Sequence, residues 1–173
     1  MNSINRRSAL PFAAMVALLF LGVQTLAQSA QDQLVGTWIL VSIYIEGPDG
    51  TRFDSFGPDP TGMLMMDGNG HISVQFIGSG LPKFASNDRL DSTPEENKAV
   101  AQGILCYFGT YSVSDADHSL NIHIENSSFP NWNGADRKTS FNISGDELST
   151  HVISGPLTSI GTGTAYVVWK RVK

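Results

Sequence analysis

Leu120-Asn121-Ile122-His123-Ile124-Glu125 alternates apolar and polar residues without a break, and Lys138-Thr139-Ser140-Phe141-Asn142-Ile143 repeats the pattern in the opposite phase one loop later. Successive side chains of a β-strand point to opposite faces, so each stretch predicts a strand with one buried and one solvated face. The loop between them, 126–136, carries Phe129-Pro130-Asn131-Trp132-Asn133-Gly134. Beyond the second stretch, Ser144-Gly145-Asp146 predicts a tight hairpin into a strand over 147–153. Residues 155–163 read as a loop, and 164–172 as a last strand.

The same alternation of β-favouring runs and Gly/Asn/Asp turns extends backwards. Strands are predicted over 105–113 and 119–125, joined by the turn Ser114-Asp115-Ala116-Asp117. Two more, 63–66 and 71–77, flank Asp67-Gly68-Asn69-Gly70, whose paired Asx-Gly steps tolerate positive φ. The first strand covers 37–45 and is followed by a Gly/Pro/Asp loop with a short paired piece at Thr51-Arg52-Phe53. One helix is predicted, ending near Gly103: Ser92-Thr93 offers a hydroxyl cap, Pro94 suits the first turn, and Glu95 and Glu96 face the positive end of its dipole. Eight main strands, up to ten with short pieces, in hairpin order predict an all-β fold. The expected architecture is an antiparallel up-and-down barrel with one short helix, closed so that no edge is exposed. An eight-stranded barrel has room to be filled by side chains or to hold one small ligand.

Composition bounds the function. Arg6 and Arg7 precede an apolar run over 9–23, and Thr25-Leu26-Ala27 offers small residues to a signal peptidase. Residues 1–27 are therefore expected to be a signal peptide and 28–173 the domain, exported to the periplasm or secreted. A twin-arginine route fits Ser8-Ala9-Leu10 poorly, and an uncleaved anchor is the alternative. Cleavage removes two of eleven basic residues and none of sixteen acids, leaving a formal charge of −7. Such a surface repels nucleic acid and anionic lipid, so neither nucleic acid nor stable membrane insertion is expected of the mature domain. The single cysteine, Cys106, excludes an internal disulfide, and its apolar neighbours suggest a buried, unreactive thiol. His71, His118, His123 and His151 are too scattered for a metal site. No strained serine elbow and no phosphate-cradling glycine loop is present, so no catalytic residue, metal or cofactor is expected.

Leu34-Val35-Gly36-Thr37-Trp38 resembles the Gly-X-Trp opening of lipocalins. A further ordered set is similar to the bacterial and fungal lipocalin-like family. It comprises Phe56-Gly57-Pro58-Asp59-Pro60-Thr61-Gly62-Met63-Leu64, Gly70-His71-Ile72-Ser73-Val74-Gln75, Tyr107-Phe108-Gly109-Thr110-Tyr111, His123 with Asn131-Trp132, and Val168-Trp169-Lys170-Arg171-Val172. The resemblance runs through nearly all of 28–173. It implies a barrel whose closed end is plugged by Trp38, with Arg171 packed over the indole and Gly36 completing the signature. It also implies a hydrophobic or amphipathic small molecule as partner. Related fungal proteins act as cyclases, so an isomerase or cyclase using His123 or Glu125 as acid/base is the rival reading. A structural or protein-binding β module is the third.

Candidate ligand contacts follow. His123 lies with Asn121 and Glu125 on one face; alternation points that face outward, whereas the resemblance puts His123 in the pocket. Tyr107 and Tyr111 flank Gly109, which would leave room for a ligand between two rings, the alternative being core tyrosines bonded to backbone. Met65, in phase with Met63, could line an adaptable apolar cavity or fill a core. Gln75 could add a polar contact at the mouth. Trp132 could lid the opening or anchor its own loop, and Arg137 could meet a ligand carboxylate or a surface acid.

Overall fold

The computed structural model describes residues 29–154 and 163–173; the predicted signal peptide and residues 155–162 of the predicted loop lie outside the described residues. After a five-residue helix α1 (Ala30–Leu34) come β1 (Gly36–Glu46), β2 (Arg52–Phe53), β3 (Thr61–Met66) and β4 (His71–Ile77). Helix α2 (Pro94–Gly103) leads into β5 (Ile104–Ser114), β6 (Ser119–Ser127), β7 (Asp136–Ser144), β8 (Glu147–Ser154) and β9 (Thr164–Arg171). Every pairing is antiparallel, in the order β2-β1-β3-β4-β5-β6-β7-β8-β9. Pairing of β1 with β9, from Trp38 with Arg171 to Glu46 with Thr164, closes the barrel. Eight strands make the barrel, and the two-residue β2 pairs beside the end of β1, as the short paired piece at 51–53 predicts.

Alternation decides the facing. Leu120, Ile122 and Ile124 are buried, while Asn121, His123 and Glu125 stand in solvent. On β7 the buried row is Arg137, Thr139 and Phe141. The turns use the predicted chemistry. Gly70 takes φ 87° and Gly145 φ 60°, the left-handed region that glycine enters without penalty. Asp67 Oδ1 accepts from the backbone N–H of Asn69 (2.9 Å) and of His71 (2.8 Å), which fixes that hairpin.

The N-terminal end is closed. Trp38 is fully buried, donates its indole N–H to the Leu34 carbonyl (2.9 Å), and lies 4.0 Å under the Arg171 guanidinium. Arg171 also donates to the carbonyls of Val35 (2.9 Å) and Gln33, tying α1 across the barrel end. Gly36, at φ 138°, passes so close that a Cβ would sit 3.0 Å from Arg171 Nη1. Helix α1 is an addition to the single helix expected. Ser29 caps it by accepting from Asp32 N–H (3.1 Å), and only Leu34 among its residues is buried. Helix α2 forms as predicted, with Thr93 and Glu96 in a reciprocal capping box. None of its side chains is buried, so it rests on the barrel without contributing to the core.

The opposite end is looser. β1 pairs with β3 only through Ile39 and with β2 only from Ile45, so the middle of β1 has no neighbour on that side. The segment 54–60 sends Phe56 inward there, stacked on Phe76 (centroids 5.5 Å), which in turn meets Trp169 (5.4 Å).

Several surface carboxylates are held below their usual range. Asp67 is lowered first by the His71 backbone N–H, Glu96 first by that of Thr93, and Asp117 first by Lys138. A depressed folded pKa contributes stability above the unfolded value, 3.8 for Asp and 4.5 for Glu, and loses it as pH falls through the folded value. The melting temperature is therefore expected to be flat from neutrality to about pH 5 and to fall below about pH 4. Asp67→Asn keeps the acceptor but cannot be protonated, and should flatten part of that fall. A melting temperature unchanged between pH 5 and 3 would contradict the assignment.

Candidate functional site

A cavity lies inside the barrel, with the aromatic stack as part of its wall. Its walls are apolar: Ile43, Leu64, Val74, Ile122, Val152 and Val167 contribute, with Phe56, Phe76 and Trp169. Tyr107, Trp132, Arg137, Thr139 and Thr150 add polar groups at one side. The water-accessible space is about 60 Å³. Phe56 and Leu105 also line a wider cleft at the barrel mouth, of about 770 Å³, between β2, α2 and Phe129. Phe56 and Leu105 therefore stand between the interior space and the cleft. Ligand clefts commonly fall between ~300 and 1,000 Å³, a range that the mouth cleft meets and that the interior space of about 60 Å³ does not reach without its side chains moving apart.

The polar side is built by three elements. The pairing of Ile122 with Arg137 puts the guanidinium on the inner face of β7. Tyr107 reaches it from β5, and Arg137 Nη1 donates to the Tyr107 hydroxyl at 3.3 Å. Trp132 arrives from a single 3-10 turn, Pro130–Trp132, closed by its own N–H to the Phe129 carbonyl (3.0 Å). The Arg137 guanidinium carbon lies 4.4 Å from the Trp132 ring centre and 5.5 Å from that of Tyr107. The two rings meet edge to face at 5.9 Å. Arg137 is 7% exposed and Trp132 3%. A guanidinium stacked on aromatic faces keeps its N–H edges for partners in its plane. Two residues along β7, Thr139 is 7% exposed, and its hydroxyl oxygen has no hydrogen-bond partner.

Of the residues singled out in the sequence, Tyr107, Trp132 and Arg137 thus come together on the cavity. The others stand elsewhere. Tyr111 points inward but toward the closed end, where its hydroxyl donates to the Asp67 carbonyl (2.8 Å). Burial, with the charges of Asp67 and Asp32, pushes its pKa up. It is a core tyrosine bonded to backbone. His123 is on the outer face, its side chain 51% exposed and 2.8 Å from Asp136, because it is out of phase with the buried isoleucines. Glu125 is exposed too, so neither side chain can act as an acid or base inside the cavity. Met65, 39% exposed, and Gln75 also face outward, since Leu64, Met66, Val74 and Phe76 take the inner positions of β3 and β4.

Two further expectations change. Gly109 does not open space for a ligand: a Cβ there would meet the His123 carbonyl oxygen at 1.9 Å, so the glycine admits the β6 backbone. Cys106 is half-buried on the outer wall rather than in the core, and burial pushes its thiol pKa up, away from thiolate. Among the described residues, no three or more His, Cys, Asp or Glu side chains converge as metal ligands would.

Sequence reasoning missed Thr139 and Phe56 as cavity residues. Thr139 carried a signal, as a polar residue in the otherwise apolar row with Phe141 and Ile143. Phe56 carried none, because it lies in a loop outside any alternation.

Comparison with known proteins places the chain. Over 107 residues it is 27% identical to the 4'-hydroxy-3'-methoxypropiophenone carrier protein ppsC of Aspergillus oryzae, an alignment covering 58% of this chain and 96% of that protein. The fatty-acid-binding protein 1 of Echinococcus granulosus aligns structurally over 81% of this chain and 98% of its own, with 12% identity and a TM-score of 0.36. The Lipocalin-like domain family matches residues 35–172, and the chain, a closed barrel over that span, belongs to this family.

Proposed function

We propose that this protein is an exported carrier that holds one small, largely apolar molecule inside its barrel. The observation that carries the reading is the cavity: apolar walls, a confined group of polar side chains at Arg137, and a cleft at the mouth parted from it by Phe56 and Leu105. Apolar burial supplies affinity at about 25 cal/mol per Å², while a few placed polar groups set orientation. The carrier function named for the Aspergillus oryzae relative supports the same reading, and its ligand, a substituted propiophenone, is small and aromatic. Export is supported by the basic and apolar pattern of residues 1–27. The rival acid/base reading loses its groups, since His123 and Glu125 are exposed.

Titration of a panel of single-ring aromatics against tryptophan fluorescence tests this, because Trp132 and Trp169 both line the cavity. Saturable 1:1 binding is expected, and Ile122→Trp, which fills the cavity, should weaken it at least tenfold. Overpacking costs about 1–3 kcal/mol of stability, so Val152→Phe serves as the second variant if Ile122→Trp melts early. Equal affinity in a folded cavity-filled variant would overturn the reading.

A further inference from the structure

We infer that the bound molecule is an aromatic carboxylic acid, held with its carboxylate against Arg137, Tyr107 and Thr139 and its ring among Phe76, Trp132 and Trp169. The inference rests on the carrier reading and specifies its ligand.

Arg137, Tyr107 and Thr139 place three donors on the polar side of the cavity, which Thr150 and Trp132 also line. The Arg137 guanidinium is a cation, lies over the Trp132 ring with Tyr107 beside it, and lines the cavity. The Tyr107 hydroxyl accepts from Arg137 and so has its own proton to give to another acceptor. The Thr139 hydroxyl is buried with no hydrogen-bond partner. Buried polar groups are nearly always satisfied, so an orphan hydroxyl on a cavity wall is a place kept for a visiting atom. A group that only accepts, offers two oxygens and carries negative charge matches these donors. A carboxylate has about four lone-pair sites in a plane, and the planar guanidinium fork is suited to it. A ketone or ester offers one good acceptor and no charge. The ring follows from the rest of the wall, where Phe76, Trp132 and Trp169 present aromatic surface to the cavity.

Isothermal titration of the intact protein with trans-cinnamate, methyl cinnamate and propiophenone at pH 7 tests the inference. The acid is expected to bind at least tenfold tighter than its ester. Arg137→Gln should reduce acid affinity far more than ester affinity, bringing the ratio close to one. Thr139→Val, nearly isosteric, should weaken the acid a few-fold and keeps the test decisive if Arg137→Gln is unstable. An ester or ketone that binds as well as the acid, or a preference that survives Arg137→Gln, would overturn the inference and leave the carrier reading standing. Absence of binding by all three overturns the inference, and the carrier reading falls only if the wider aromatic panel also fails.

Discussion

Gly109→Ala is expected to destabilise the protein by about 3–5 kcal/mol, the upper end of what single substitutions do. The new methyl would lie 1.9 Å from the His123 carbonyl oxygen and 2.9 Å from the Glu125 backbone nitrogen. Both are main-chain atoms of β6, which cannot move aside as a flexible side-chain tip would. At this point the β5–β6 register steps from Phe108 opposite Asn126 to Gly109 opposite Ile124, leaving Glu125 as the extra residue of a bulge. A bulge bends its strand and brings the two backbones close, and glycine is what allows the approach. At roughly 2–4 °C per kcal/mol for a chain of this size, the melting temperature should fall by about 6–20 °C. Gly80→Ala is the control, because nothing lies within 4 Å of its added carbon. Equal melting temperatures for Gly109→Ala and the control would contradict the register.

Trp38→Ala is expected to cost about 3–5 kcal/mol as well, by a different route. It empties the volume of a fully buried indole, removes the partner of the Leu34 carbonyl, and takes away the ring beneath Arg171. Arg171→Met should cost about 1–3 kcal/mol, through the lost cation–π contact and the lost bonds to the Val35 and Gln33 carbonyls. Because the two side chains touch, the double variant should cost less than the sum by at least about 0.5 kcal/mol in urea unfolding. Trp38 does not line the cavity, so Trp38→Phe should leave ligand affinity within about twofold once the protein is folded. Additive costs would mean that the indole and guanidinium are not coupled.

The strands were legible where one residue in two is polar. On β6 and β7 the phase is unambiguous, and Ile122, Ile124 and Phe141 fall inside as the alternation requires. On β3 it is not: Met63 and Met65 are as apolar as Leu64 and Met66, and a strand without alternation does not declare which row is buried. Met65 is a cavity candidate on sequence for that reason. His123 shows the reverse case, where the local pattern already pointed outward and only the resemblance pulled inward. Tyr107, Trp132 and Arg137 come from two strands and a loop, so their convergence is a matter of register, which no single stretch encodes. Helix α1 is five residues long, too short for hydrophobic periodicity to appear.

The most direct test of a ligand inside the barrel is to locate it by isotope-edited NMR, with labelled methyl groups and the tightest-binding aromatic of the panel. The account predicts intermolecular contacts from the aromatic protons to the methyls of Val74, Ile122 and Val152, which line the cavity. Contacts instead to Val41, Met65 or Ile153, which face solvent, would place the molecule on the outer wall and contradict it.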